Sequence, residues 1–229
     1  MIKFAVIISV FLMINPPSFK EQQLKFDRVK TAYEEKETTV KDLLKSRGIT
    51  SHYKLFIRAF KKEEELEVWI TASPSNTYKL LTTYDFCTSS GELGPKRKEG
   101  DLQIPEGVYH INHFNPFSTF YLSLGINYPN ASDKILSDKK HPGGAIYIHG
   151  NCVSIGCIPI TDDKIKELYV LAVESKNGGQ TNIPVHIFPS REINETTPFW
   201  INLKTVYKDF EKDKKLRPIS VDKTGAYKI

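Results

Sequence analysis

The run from Ala145 to Asp163, AIYIHGNCVSIGCIPITDD, constrains this chain more than any other stretch. Ile146 to Ile148 is β-branched and aromatic and stops at His149, followed at once by Gly150, a pattern that carries a side chain to the end of a buried strand. Cys157 comes directly after Gly156, and a fully extended chain would place it roughly 26 to 29 Å from His149. The segment must therefore fold back if the two are to meet, and glycine permits such a reversal at positive φ. Thr161-Asp162-Asp163 then reads as an N-cap and acidic first turn, with Ile165, Leu168, Tyr169 and Ala172 at helical spacing behind it. The expected unit is a strand, a glycine-bracketed loop carrying a thiol, and a helix.

A thiol attacks as thiolate, and an unperturbed cysteine titrates near 8.5, so at neutral pH it needs help. A nearby helix end supplies about 0.3 to 1 kcal/mol, less than the roughly 1.4 kcal/mol that one pKa unit requires. His149 is left to do most of the activation. In this reading it takes the thiol proton, holds an imidazolium beside the thiolate, and returns a proton to the leaving amine. The backbone N–H groups of Gly156 and Cys157 are the candidate oxyanion hole, because glycine leaves donors unshielded.

These residues resemble the catalytic motif of the L,D-transpeptidase (YkuD-type) domain, a family of cysteine enzymes that remodel bacterial peptidoglycan. The string His149-Gly150 followed by Ser154-x-Gly156-Cys157 carries the likeness. A nearer likeness, to the YafK-like branch, rests on Ser90 to Lys96, Pro105 to Tyr109, Asn127 to Ala131 and the stretch from His149 to Asp163. The wider family's Ser-His-Gly-Cys reads Ser154-Ile155-Gly156-Cys157 here, and its frequent arginine two places on is Pro159. The resemblance implies a mostly β fold with flanking helices (α+β), a sandwich or barrel with the nucleophile on a loop between a strand and a helix. It implies Cys157 as nucleophile, His149 as proton donor and acceptor, the Gly150 carbonyl orienting His149, and Gly156 in the oxyanion hole. Lys96, Arg97, Tyr128, Asn130 and Ser154 are candidate contacts to a peptidoglycan peptide stem. Transpeptidation to an amine and hydrolysis by water, including release of a stem-linked protein or peptide, both remain open, as does a non-catalytic peptidoglycan-binding module, which the retained Cys157 disfavours.

At 229 residues the chain suffices for one domain with a full core plus appendages. Its 32 Lys+Arg against 27 Asp+Glu give a net charge of +5, spread along the sequence, and no concentrated basic block points to nucleic acid. Met1-Ile2-Lys3 and the apolar run from Phe4 to Ile14 look like the start of a secretion signal. As a helix that run covers about 16 Å, roughly half of a bilayer core, so export to the periplasm or cell envelope is expected. Without a visible cleavage site, a retained membrane tether is the alternative.

Three cysteines in an exported chain cannot all pair with one another. Cys157 is the expected free thiol, with Cys87 and Cys152 either bridged or packed as small hydrophobes. A metal centre on His149, Cys152 and Cys157 is the rival reading. Structural zinc wants a close cysteine pair within a four-ligand set, whereas these cysteines stand five apart with no second pair, so neither metal nor cofactor is expected.

Residues 1–18 read as signal or anchor, 19–50 as a helical extension stopped near Gly48, 51–190 as the catalytic domain, and 191–229 as a helix with a mobile basic tail. Within the domain, 53–60, 66–71 and 78–84 form a meander, and 108–111, 119–126 and 183–188 are further strands. Pro184 marks the last as an edge strand or as a strand beginning there. Residues 127–130 read as a turn.

Overall fold

The computed structural model describes residues 16–72, 75–194 and 196–229, so the predicted signal or anchor falls outside them up to residue 15. The chain begins with α1 (Phe19–Gln23) and α2 (Asp27–Ser46), continues through β1 (Tyr53–Phe60), β2 (Glu65–Ala72), β3 (Lys79–Asp85), β4 (Gly107–Asn115) and β5 (Ser123–Ile126), and makes the short helix α3 (Ala131–Leu136). Next come β6 (Tyr147–His149), β7 (Ile158–Pro159), α4 (Asp162–Asn177), β8 (Pro184–Phe188), α5 (Pro198–Asp213), β9 (Ser220–Val221) and β10 (Tyr227–Lys228).

The first eight strands form one sheet in the order β3-β2-β1-β8-β4-β5-β6-β7. Alternation along β1 explains its two covered faces: Leu55, Ile57 and Ala59 enter one core, while Phe56 and Phe60 point to the opposite side. Against the first face lies α4, apolar nearly all round with Ile165, Leu168, Tyr169, Val170, Leu171 and Val173 buried. A helix of that kind needs cover on its outer side too, and α2 provides it with Val29, Ala32, Val40 and Leu44. On the second face α5 packs Leu203, Val206 and Phe210. There the buried Arg58 guanidinium pairs with Glu67 and Glu211, both at 2.6 Å, between the rings of Trp69 and Phe210.

The sheet curls until its outermost strands meet at one end. Cys87, just past β3, donates its N–H to the Pro159 carbonyl on β7 at 3.0 Å. Cys87 and Cys152 are joined by a disulfide, which settles the alternative left open by the sequence. Among the described residues, no helix is long and apolar enough to cross a membrane.

Three elements depart from the sequence reading. Residues 119–122 precede β5 rather than belong to it, and the turn expected at 127–130 leads into α3, capped by Asn130. β8, by contrast, takes one of the two forms the sequence allowed: Pro184 opens it, so its missing N–H falls at the strand's start, while the strand itself lies between β1 and β4. The tail is ordered as the β9–β10 hairpin, because Tyr227 is buried and its hydroxyl meets the Val108 N–H and the Asn130 amide.

Candidate active site

The site is built where β6 ends and β7 begins. These strands run parallel with Ile148 opposite Ile158 and His149 opposite Pro159. Carrying that register back one residue sets Cys157 opposite Tyr147. Because side chains alternate, Tyr147 and His149 share a face of β6, and the Cys157 thiol lies against the β6 backbone at Tyr147. Strand spacing and rise put the His149 and Cys157 backbones about 8 Å apart on the diagonal.

His149 is 1% exposed. Its Nδ1 lies 2.5 Å from the Gly150 carbonyl, which can only accept, so Nδ1 carries the ring proton. That fixes the neutral tautomer with its lone pair on Nε2, a buried atom that makes no hydrogen bond among the described residues. The Phe120 ring stacks on the imidazole with centroids 4.6 Å apart, holding the ring plane. Burial pushes the His149 pKa below its ordinary value, opposed by the Gly150 carbonyl. The imidazole is therefore a neutral base at pH 7.

Cys157 is a free, half-buried thiol whose Sγ lies 3.7 Å from the Ala145 carbonyl. Burial raises its pKa, while the Tyr147 backbone N–H and the Lys96 charge pull it down. The two groups thus rest as thiol and imidazole. This differs from the expected thiolate beside an imidazolium, because burial penalises both charged forms and Sγ turns to a carbonyl.

Ser154 organises the loop between them. Its Oγ accepts from the N–H groups of Gly156 at 3.2 Å and Cys157 at 3.0 Å, and it donates to the Cys157 carbonyl at 2.8 Å. The amides expected to face an oxyanion are therefore turned onto Ser154 in the resting structure. Gly156 has φ +124°, and a Cβ there would come within 3.0 Å of the Gln103 carbonyl, so the reversal needs glycine on two counts. At the far end, Asp162 accepts the Asn151 N–H at 2.8 Å and ties the loop to the first turn of α4.

The other sequence-derived candidates separate. Lys96 is brought toward the thiol, its buried ammonium held by Asp101 at 2.5 Å and the Lys98 carbonyl at 3.0 Å. Arg97 turns away to Asp133 at 3.4 Å and over the Phe199 ring at 4.7 Å. The Tyr128 hydroxyl donates to the Pro142 carbonyl at 2.8 Å, and the Asn130 amide is spent on Val108 and Tyr227. Sequence reading missed Phe120, Ala145 and Ser90. Ala145 had a detectable signal, since it follows Gly143-Gly144 where a strand must start sharply, and its own φ is +54°. Phe120 carried none, and Ser90 stood in the Ser90 to Lys96 motif without a role of its own.

A curled, mostly β sheet brings His149, at the end of β6, and the free thiol of Cys157, just before the adjoining β7, to one end of the molecule, with α4 close behind. The chain belongs to the L,D-transpeptidase family: the YkuD model, described as the L,D-transpeptidase catalytic domain, matches residues 61–187. YafK of Escherichia coli (strain K12), provisionally assigned as an L,D-transpeptidase, is 34% identical over 178 residues, covering 73% of this chain and 70% of that protein. Among solved structures, Pgp2 from Campylobacter jejuni, described as a helical cell shape determining protein, aligns at 19% identity with a TM-score of 0.49, over 69% of this chain and 57% of Pgp2. Mycobacterium tuberculosis L,D-transpeptidase 1 aligns at 17% with a TM-score of 0.34, over 59% of this chain and 62% of that one. The chain thus spans little more than half of these solved neighbours.

Proposed function

We propose that this protein is an exported cysteine acyltransferase acting on peptide stems of peptidoglycan in the periplasm or cell envelope. Cys157 is the nucleophile and His149 the base and acid. On substrate binding, Nε2 of His149 takes the Sγ proton as sulfur adds to a stem carbonyl. The tetrahedral oxyanion is met by the N–H groups of Gly156 and Cys157, which exchange Ser154 Oγ for the developing charge. Collapse breaks the C–N bond, the leaving amine receives the proton from His149, and the stem remains as a thioester on Cys157. An amine of a second stem then attacks the thioester, giving a cross-link and returning the proton to sulfur; water in that role gives a free carboxylate.

The observation that supports this reading is the His149 tautomer: with Nδ1–H committed to the Gly150 carbonyl, the ring's lone pair is left on Nε2, at the end of the strand beside which the free Cys157 precedes β7. No carboxylate is needed to orient the ring, since the backbone does it. The Cys87–Cys152 bridge supports export, because such bonds persist in oxidising compartments. The test is to incubate disaccharide-peptide fragments with the protein and with Cys157→Ala and His149→Ala variants, following products by mass. Joined stems indicate transpeptidation and a gain of one water indicates hydrolysis. Equal turnover by Cys157→Ala would end the proposal.

A further inference from the structure

We propose that the Cys87–Cys152 disulfide is a positioning element for Cys157, and that a dithiol reductant lowers the activity of the site by opening it. The inference rests on Cys157 being the nucleophile, and it begins from how little else holds the loop between His149 and Cys157. Val153 is exposed, and Ile155 is 80% exposed, so that segment has almost no apolar packing to anchor it. Among the described residues its remaining ties are the Gly150 N–H to the Leu122 carbonyl at 3.2 Å, the Asn151 N–H to Asp162, the Cys152 N–H to the Asn151 side chain at 2.7 Å, and Ser154 Oγ to Ser90 Oγ at 3.1 Å.

The bridge joins residues separated by 65 positions and spans the closure of the sheet. On one side, Cys87 is seated against β7 by its N–H to Pro159 and by the Thr161 N–H, which approaches Cys87 Sγ at 3.4 Å. On the other, Cys152 lies midway along the return that turns back to Cys157. Ser90, which shares its hydroxyl contact with Ser154, is only a short step along the chain from Cys87. Both crossings between the 87–90 segment and the active-site loop are thus clamped by the one covalent bond. Ser154 in turn holds the Gly156 and Cys157 amides, so a loop released from this clamp no longer fixes the nucleophile or its backbone donors.

The same bond is open to attack. Cys152 is exposed while Cys87 is half-buried, and exposed disulfides are the labile ones. A dithiol thiolate attacks Cys152 Sγ, the S–S bond breaks, and Cys87 leaves as thiolate and takes a proton. The second thiol of the reductant then attacks the mixed disulfide, releasing the Cys152 thiol and closing the reductant's own disulfide. Two electrons and two protons pass from the dithiol to the two cysteines.

The test uses the full chain equilibrated in dithiothreitol buffers of graded potential. Alkylation and peptide mapping give the fraction of Cys87 and Cys152 oxidised. After removal of the reagent under anaerobic conditions, two quantities are read below the melting temperature: turnover of disaccharide-peptide fragments, and amide exchange over residues 150–157. The expected result is a fall in kcat of at least tenfold with KM within threefold, and loop exchange at least tenfold faster. Both should share the midpoint of the disulfide and reverse on reoxidation with oxidised dithiothreitol. The Cys87→Ser/Cys152→Ser double variant should be slow and indifferent to potential; if it fails to fold, reduced wild-type protein supplies the same comparison. Turnover within twofold and unchanged loop exchange on reduction would overturn the proposal. Should the oxidised chain turn over nothing, the nucleophile reading fails while loop exchange still decides the latch: faster exchange on reduction supports it, unchanged exchange refutes it.

Discussion

Replacing Glu106 by glutamine should cost this protein a large part of its stability. Glu106 is fully buried and Lys61 is 5% exposed. One carboxylate oxygen accepts from Lys61 Nζ at 3.0 Å and the Gly94 N–H at 2.7 Å, and the other accepts from Trp200 Nε1 at 2.6 Å. All three partners are donors. A glutamine amide must therefore aim its own NH₂ at one set of them, losing an acceptor and opposing donor to donor, and in either orientation it removes the negative charge facing the buried Lys61 ammonium, which also meets the Gly94 carbonyl at 2.6 Å. Removing one member of a buried pair typically costs about 3 to 5 kcal/mol, against a total of roughly 5 to 15 kcal/mol for a domain. At about 2 to 4 °C per kcal/mol for a chain of this size, the melting point should drop by roughly 6 to 20 °C.

Burial already lowers the Lys61 pKa, with Glu106 raising it in opposition. In the variant the folded state holds the Lys61 proton still less tightly than the unfolded chain does, so stability rises with pH between the folded pKa and about 10.4. The deficit should narrow toward that end. Urea titration of wild type and Glu106→Gln at pH 7 and pH 9.5 measures both effects, and Lys61→Met combined with Glu106→Gln should lose less than the sum of the single changes. A loss under about 1 kcal/mol at pH 7, or a deficit that grows with pH, would refute the reasoning.

Three further outcomes follow from the site and its surroundings. The rate of iodoacetamide reaction at Cys157 should climb through pH 7 and level off only above the ordinary thiol value of about 8.5, since burial raises that pKa; a plateau already present at pH 5 would mean a preformed thiolate–imidazolium pair. Gly156→Ala should reduce turnover at least tenfold, because the residue sits at φ +124° with the Gln103 carbonyl 3.0 Å from the new Cβ; full activity in steady-state assays would show that the loop tolerates a different path. Burial lifts the Asp133 pKa to about 6 despite its bonds to Asn130 and Tyr109, so the folded state binds this proton more tightly than the unfolded one and stability from this group is lost as pH rises through 6. Asp133→Asn should accordingly gain on wild type by a few kcal/mol between pH 4 and pH 7 in urea titrations, whereas a constant difference would contradict the assignment.

Much of the site could be read before any coordinates, because its requirements fall on residue types with few alternatives. A histidine at a strand end, glycines on either side of a return, and an N-cap four residues after a cysteine are local features, and in the structure His149 ends β6 and Thr161 caps α4. Partners supplied by distant segments were hidden. Phe120 reads as one more alternating strand residue, yet it sits outside β5 and stacks on His149. β7 has only two residues, one of them proline, and exists because β6 offers it a parallel edge, so no periodicity could announce it. The tail looked mobile for its charge, and a single buried side chain, Tyr227, outweighs that composition by reaching the Val108 and Asn130 backbone and amide. For the thiol, the sequence suggested an ion pair, whereas burial, which no spacing pattern encodes, leaves both groups neutral.

The most direct measurement is the intact mass of the protein quenched in acid during turnover of a disaccharide-peptide fragment. The account predicts an adduct equal to the acyl part of the stem, mapped to Cys157 and cleared by hydroxylamine, absent from Cys157→Ala and accumulating at least a hundredfold more slowly in His149→Ala. Products released by a protein that never carries such an adduct, or an adduct mapped to another residue, would contradict it.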